Sequence, residues 1–251
     1  MLYTAEHQSL YDTTKRYVEE QINPQCEQWE REGTWPAKRV LKGMGDLGLL
    51  GIPKPEAVGG LGLDYSYQIA FAEALGHCRV GGIPMAIGVQ TDMCTPALAN
   101  YGNDFLKENY LKPSIAGDLV GAIGVSEPGA GSDVAGIKTT AVKDGDDYVI
   151  NGSKMWITNG TQADWVCLLC NTGEPDQSSP TGNGAGGKHG NKSLLVVPLD
   201  AKGVDRKTKL DKLGQRSSDT AIIFFDNVRV SASHLVGQQG RGFVYQMEQF
   251  Q

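Results

Sequence analysis

The chain has 251 residues, of which 40% are hydrophobic and 21% are charged, and its formal net charge is −6. This balance is typical of a soluble globular protein and does not favour a nucleic-acid-binding or anionic-membrane surface. No apolar run approaches membrane-spanning length, and the N-terminal residues MLYTAEHQSL show no signal or transit peptide pattern. Five cysteines without regular spacing indicate a reducing compartment.

Residues 1–117 are predicted to form an N-terminal helical domain. Leu10, Val18 and Ile22 fall on one face of a helix, and Pro24 ends that pattern. Further helical segments are expected over residues 38–47, 64–76, 85–101 and 104–111. The first half of the chain is therefore predicted to be a helical bundle.

Residues 118–236 are predicted to form a middle β-domain. The β-forming runs are LVGAIGV, GIKTTAV, DYVING, MWIT, DWVCLLC, SLLVVPL and TAIIFFDNVRV. The cluster Asp144-Gly145-Asp146 between two of them indicates a hairpin. Many short strands with regular turns favour an antiparallel, barrel-like domain, so the predicted fold class is α+β.

Residues 237–251 return to a helical pattern, GFVYQMEQFQ, which carries no stop signal. We expect this segment to be the first turns of a truncated C-terminal helical domain. Residues 171–191, between two predicted strands, are polar and rich in Gly, Ser and Pro, which predicts a long mobile loop.

Two glycine patterns within that loop are similar to nucleotide-binding fingerprints, but their context excludes both. Residues 182–188 match G-x-G-x-x-G and nearly match a Walker A motif, in which His189 stands where Ser or Thr should hold magnesium. Neither pattern follows a strand and opens a helix. No metal site is predicted, because the histidines lack ligand spacing and Cys167 and Cys170 should face opposite sides of a strand.

The stretch VSEPGAGSDV at residues 125–134 is a candidate binding loop after a predicted strand. Gly129 and Gly131 allow backbone N–H groups to approach a phosphate or a ring oxygen closely. Ser126 and Ser132 add hydroxyls that can donate hydrogen bonds to a ligand. An ordinary turn rich in glycine and proline explains the same residues, so the motif alone leaves both interpretations open.

The stretch NGSKMWITNG at residues 151–160 is a second candidate. Trp156 is either a core residue or a flat wall for an aromatic cofactor. Thr158 is expected on the same face as Trp156, because strand residues two apart share a face.

These two stretches, followed by LGQRSSDT and FFDNVRV, resemble the acyl-CoA dehydrogenase family, and the matches are collinear. LGLLGIPKPEAVGGLGLD and PALANYG extend the likeness into the helical part, so that it covers nearly the whole chain. The resemblance implies an N-terminal helical domain, a middle β-domain and a C-terminal helical domain that together enclose FAD and a fatty acyl-CoA.

The resemblance also implies which residues contact FAD. They are Ile123, Gly124, Val125, Ser126, Gly131, Ser132, Trp156, Ile157 and Thr158. Ser126 matches the hydroxyl donor to the pyrimidine edge of the flavin, and Thr158 matches the hydroxyl near flavin N5. Ser132 also matches the serine that binds the thioester arm of the acyl-CoA substrate. Many relatives carry tyrosine where Ile123 stands, which leaves that side-chain contact open.

The family's reaction is α,β-dehydrogenation of an acyl-CoA thioester, in which a carboxylate removes the α-proton while hydride leaves to the flavin. The resemblance places this glutamate in the C-terminal domain, so the base is expected beyond Gln251 and not at Glu248. It further implies an electron-transfer flavoprotein as acceptor and a homotetramer when complete. The expected location is the mitochondrial matrix in a eukaryote or the cytoplasm in a bacterium.

Two other interpretations stay open. As a dehydrogenase, this chain is expected to be inactive alone, because it lacks the base. The first alternative is a non-catalytic remnant that binds acyl-CoA or flavin weakly or contributes only interaction surface. The second is a flavoenzyme with another acceptor, such as an acyl-CoA oxidase or a nitroalkane oxidase. The coding sequence downstream of Gln251 would distinguish the remnant from a dehydrogenase. Peroxide formation in air would distinguish an oxidase from a dehydrogenase.

Overall fold

The computed structural model describes residues 3–173 and 190–250, with helices in the first half of the chain and strands after them. The α-helices are α1 (Ala5–Tyr17), α2 (Cys26–Glu32), α3 (Ala37–Asp46), α4 (Tyr65–Leu75), α5 (Gly82–Gly88), α6 (Pro96–Tyr101), α7 (Asp104–Leu106), α8 (Lys112–Ile115) and α9 (Gly242–Glu248). The strands are β1 (Gly121–Gly124), β2 (Thr140–Asp144), β3 (Asp147–Thr158), β4 (Trp165–Asn171), β5 (Lys192–Pro198), β6 (Val204–Lys209), β7 (Thr220–Ser231) and β8 (Leu235–Val236). Most of the predicted 171–191 loop, with its glycine motifs, lies outside the described residues.

Helix α1 begins at a reciprocal cap. The Thr4 hydroxyl accepts a hydrogen bond from His7 N, and the His7 ring accepts one from Thr4 N, so two N–H groups of the first turn are satisfied. The helical path continues through a π-helical segment, Val18–Ile22, whose first and last residues are buried. Pro24 then falls in a short 3₁₀ turn, where it lacks an N–H to continue the helix.

The helical segment predicted over 85–101 begins earlier and is interrupted. It consists of α5, a π-helical segment over Val89–Cys94, and α6 with Pro96 at its first position. Gln90 in the π-helical segment accepts a hydrogen bond from Gly121 N at 2.6 Å and donates to Leu119 O at 2.9 Å. This buried amide fixes the helices against the beginning of β1.

The eight described strands form one open sheet in the order β6-β7-β3-β2-β4-β5-β8, with β1 also paired to β4. The α+β class is therefore confirmed, but the sheet does not close into a barrel. Most neighbours are antiparallel as predicted, whereas β1 and β2 each run parallel to β4. The β2–β3 hairpin lies between β1 and β4 in sequence, and the chain therefore enters β4 in the same direction as β1.

Strands β4 and β5 are covered on both faces, which explains their unbroken apolar sequences. Val166 and Leu168 belong to one buried cluster, together with residues of α2, α3 and α4. Trp165 and Cys167 belong to a second cluster, together with residues of α6 and α9. Cys167 and Cys170 accordingly lie in different clusters, on opposite faces of the strand, as predicted. No helix among the described residues is long and apolar enough to cross a membrane.

We expect Gly45→Ala to destabilise the protein by about 1–3 kcal/mol, because a Cβ at this position of α3 would overlap the backbone of Ala116. Alanine normally stabilises a helix interior relative to glycine, so the sign of the effect is informative. Gly214→Ala is the matched control, because nothing lies within 4 Å of its Cβ position. Urea unfolding of the two variants measures the difference, and a Gly45→Ala variant as stable as the parent would contradict this packing.

Candidate functional site

The loop after β1 makes a tight turn at residues 127–130. Glu127 N donates to Ala130 O at 2.8 Å, and Ala130 N donates to Glu127 O at 3.1 Å, so the two residues form an isolated antiparallel bridge. Gly129 and Gly131 have nothing within 4 Å of their Cβ positions. Backbone groups on this side of the turn are therefore open to an approaching ligand.

The Glu127 carboxylate lies under the turn and is almost fully buried. It accepts hydrogen bonds from Lys138 N at 2.7 Å, from Thr139 N at 2.9 Å and from the Lys154 ammonium at 2.9 Å. Burial by itself raises the pKa of Glu127, but these bonds and the charge of Lys154 outweigh it and hold the pKa below its ordinary value. Glu127 is therefore a structural anion and not a candidate proton acceptor.

Lys154 joins the two candidate segments. Its ammonium, with no exposed side-chain surface, donates to Val125 O at 2.8 Å as well as to Glu127. Burial lowers the pKa of Lys154, and the Glu127 carboxylate opposes that shift. The next residue of β3, Met155, donates its N–H to Ser126 O at 2.9 Å. These hydrogen bonds hold the loop after β1 against β3 through a buried contact.

A β-bulge interrupts β3 immediately after Lys154. The pairing of β3 with β7 shifts register between Lys154 and Ile157, and Trp156 has a φ of 67°. Lys154 and Ile157 are both buried, whereas the Trp156 side chain between them is 57% exposed. The bulge inserts one residue between Lys154 and Ile157, so regular alternation fails there, and the shared face of Trp156 and Thr158 stays a prediction. The bulge still leaves Trp156 and the partly exposed Thr158 more accessible than Ile157.

The turn after β3 is held by Asn159 and Asp219. Asn159 has a φ of 65°, donates its backbone N–H to Asp219 O and donates its side-chain amide to Ala86 O in α5. The Asp219 carboxylate accepts from Thr161 N at 2.8 Å and from the Gln162 amide at 2.9 Å. Asp219, which belongs to the LGQRSSDT stretch, thus fixes the turn at the C-terminal end of β3.

The predicted contact residues divide into three groups by exposure. Gly124 and Ile157 are buried, and Gly131, Ser132 and Trp156 are exposed. Ile123, Val125, Ser126 and Thr158 are partly buried, and the side chains of Ile123 and Val125 pack against an apolar cluster. A Cβ at Gly124 would lie 3.1 Å from Val166 Cγ2 and 3.3 Å from Leu168 Cδ1, so this glycine lets β1 pack closely on β4. Glycine spacing in the sequence did not reveal that role.

The exposed groups fit a planar aromatic ligand with polar edges. Trp156 is 57% exposed, and Phe224 on β7, which pairs with Ser153 of β3, is 45% exposed. Within residues 3–173 and 190–250, the hydroxyls of Ser126 and Thr158 have no hydrogen-bond partner. They are therefore free to bond the heteroatoms of a bound ring, as an isoalloxazine would require. No group of His, Cys, Asp or Glu suited to a metal ion occurs among the described residues.

Sequence reasoning missed Glu127, Lys154 and Asp219 as organising residues. All three stand inside the quoted stretches EPGAGSDV, NGSKMWITNG and LGQRSSDT, so their positions were visible. Their burial was not visible, because charged residues are expected at the surface unless a partner is known.

We expect Glu127→Gln to lower the free energy of unfolding by about 3–5 kcal/mol at pH 7, because it leaves the Lys154 ammonium buried without a counter-charge. The depressed pKa of Glu127 means that its contribution is complete above the ordinary value of 4.5 and is lost as the pH falls through the folded-state pKa. Stability of the parent should therefore fall more steeply below pH 4.5 than that of Glu127→Gln. Chemical unfolding from pH 3 to pH 7 checks both points, and parallel pH profiles would contradict the ion pair.

Comparisons with known proteins agree with the geometry. Residues 4–118 match the family model "Acyl-CoA dehydrogenase, N-terminal domain", and residues 122–228 match "Acyl-CoA dehydrogenase, middle domain". The mitochondrial long-chain specific acyl-CoA dehydrogenase of Sus scrofa is 35% identical over 250 residues, which cover 99% of this chain and 55% of that protein.

Two solved structures extend the comparison. The acyl-CoA dehydrogenase of Geobacillus kaustophilus superimposes with a TM-score of 0.88 at 38% identity, over 98% of this chain and 62% of that one. An acyl-CoA dehydrogenase from Bacillus anthracis, described as complexed with FAD, gives a TM-score of 0.87 at 28% identity, over 98% of this chain and 40% of that one. The chain spans little more than half the length of the pig relative. The chain belongs to the acyl-CoA dehydrogenase family.

Proposed function

We propose that this chain supplies the FAD-binding part of an enzyme that oxidises acyl-CoA thioesters between Cα and Cβ. The observation that carries the proposal is the junction at Lys154, which holds the loop of Ser126 against the bulge of Trp156. It holds the Ser126 loop against the strand that carries the exposed Trp156, and among the described residues the Ser126 and Thr158 hydroxyls have no hydrogen-bond partner. The FAD complex of the Bacillus anthracis relative supports the choice of cofactor.

Each predicted residue then has a defined task. The Trp156 ring presents a flat apolar surface to the ring system, and the Ser126 and Thr158 hydroxyls donate to its polar edges. Backbone N–H groups near Gly131 and the Ser132 hydroxyl meet the cofactor and the thioester arm of the substrate. When bound, FAD supplies the acceptor for the hydride that leaves the β-carbon. A donor at Thr158 stabilises the charge that develops on that acceptor.

The base that removes the α-proton belongs to the remaining part of the whole protein in this proposal. Glu248 lies on the exposed side of α9 and contacts the Tyr101 hydroxyl, which supports a surface role for it. Family membership supports an electron-transfer flavoprotein as acceptor and a homotetramer for the complete enzyme. It also supports a mitochondrial location in a eukaryote, as named for the pig relative, or the cytoplasm in a bacterium.

We expect Trp156→Ala to weaken FAD binding by about tenfold, because the variant loses most of the aromatic surface offered to the ring. Titration of the 251-residue chain with FAD, followed by flavin fluorescence, measures the dissociation constant. Leu213→Ala is the matched control, since Leu213 is a large apolar residue that is fully exposed in the β6–β7 connection. Equal affinities for both variants would remove Trp156 from the flavin site.

We expect the whole FAD-loaded protein to lose its flavin absorbance when acyl-CoA is added under nitrogen, which tests the reaction itself. Thr158→Val should slow this bleaching by about 10²-fold while retaining FAD, because a preorganised donor acts mainly on the transition state. Stopped-flow absorbance measures the rate. Absence of bleaching in the parent protein with a panel of acyl chain lengths would rule out the proposed function.

A further inference from the structure

Two cysteine thiols meet in the helical half of the chain, away from the candidate flavin site. Cys26, the first residue of α2, and Cys78, in the connection after α4, have their Sγ atoms 3.9 Å apart although 52 positions separate them in sequence. Cys26 is 1% exposed and Cys78 is partly exposed. The other three cysteines, Cys94, Cys167 and Cys170, are fully buried.

Asn23 holds the two backbone segments that carry these thiols. Its side-chain oxygen accepts from Arg79 N at 3.0 Å and from the Cys26 thiol at 3.7 Å. Its side-chain amide donates to His77 O at 3.1 Å. The residues on both sides of Cys78 are therefore fastened to the turn that precedes Cys26. A disulfide needs an S–S distance of about 2.05 Å, so small side-chain movements suffice to close the gap.

We propose that Cys26 and Cys78 form an intramolecular disulfide when the protein meets a small-molecule disulfide oxidant. The Cys78 thiolate, as the accessible sulfur, attacks one sulfur of the oxidant and releases the first thiolate of the oxidant. The Cys26 thiolate then attacks Sγ of Cys78 and releases the second. One S–S bond forms and one is reduced, and the two protons of the cysteines pass to the released thiolates.

The environment of the pair makes this reaction slow at neutral pH. Burial raises the pKa of Cys78 to about 12, and burial likewise raises the pKa of Cys26 above its ordinary value. Only the thiolate attacks a disulfide, so the initial rate should rise about tenfold for each unit of pH between 7 and 9. The two thiols should therefore form a disulfide only during prolonged exposure to an oxidant, and they should not respond to a brief change in redox potential.

The cross-link would join the beginning of α2 to the connection between α4 and α5. A disulfide that closes a loop of this length restricts the unfolded chain strongly. The oxidised protein should consequently melt several degrees above the reduced one, without a change in FAD affinity.

The test incubates the chain with oxidised glutathione at pH 7, 8 and 9 and follows intact mass. The expected product has lost two hydrogens, and proteolytic mapping without reduction finds one linked peptide pair containing Cys26 and Cys78. Cys26→Ser should stop at a stable glutathione adduct on Cys78, whereas Cys78→Ser should stay unmodified. Asn23→Ala should close the disulfide at least several-fold more slowly than the parent.

Three results would overturn the proposal. One is a parent protein that keeps the glutathione adduct on Cys78 without closing the disulfide. Another is a linkage that maps to Cys94, Cys167 or Cys170. The third is a parent protein that remains unmodified at pH 9, while the same chain unfolded in urea is oxidised under the same conditions.

Discussion

The buried ion pair between Lys154 and Glu127 is the contact on which the candidate site depends. Two charged groups lose their hydration when they are buried, and the protein must supply equivalent contacts. Here three backbone groups and the opposite charge supply them. The compensation exists only when the loop after β1 and the strand β3 are in register. The pair therefore specifies one relative position for two segments whose paired residues are 27 positions apart in sequence.

The remainder of the scaffold supports this junction from two sides. Gln90 ties the helical half of the chain to the first residue of β1, and Asn159 ties the end of β3 to α5. Both contacts use buried side-chain amides on backbone groups, which are directional in a way that apolar packing is not. The double-sided cores of β4 and β5 then hold the sheet between helical layers. Polar contacts therefore set the geometry of the junction, and apolar layers support the sheet behind it.

Sequence reasoning recovered the fold class, the order of helices and strands, and the two stretches that meet at the site. These follow from hydrophobic periodicity and turn residues, which are local properties of the chain. It did not recover the open sheet, because closure depends on whether distant edge strands pair. It also assumed regular alternation through Trp156, since nothing local signals a bulge when the inserted residue is not glycine. It gave no role to Glu127, Lys154 and Asp219, because burial of a charge depends on partners from other elements.

The backbone of Trp156 carries an evolutionary consequence. A φ of 67° suits glycine or asparagine far better than an aromatic residue, and holding a tryptophan there disfavours the folded state by roughly 1–3 kcal/mol. Selection for stability alone would therefore favour glycine over tryptophan at this position. A lineage that loses its need for a ring-binding surface should show glycine at this position early, before its core changes. The identity of residue 156 in related chains then indicates whether the ring-binding surface is still under selection.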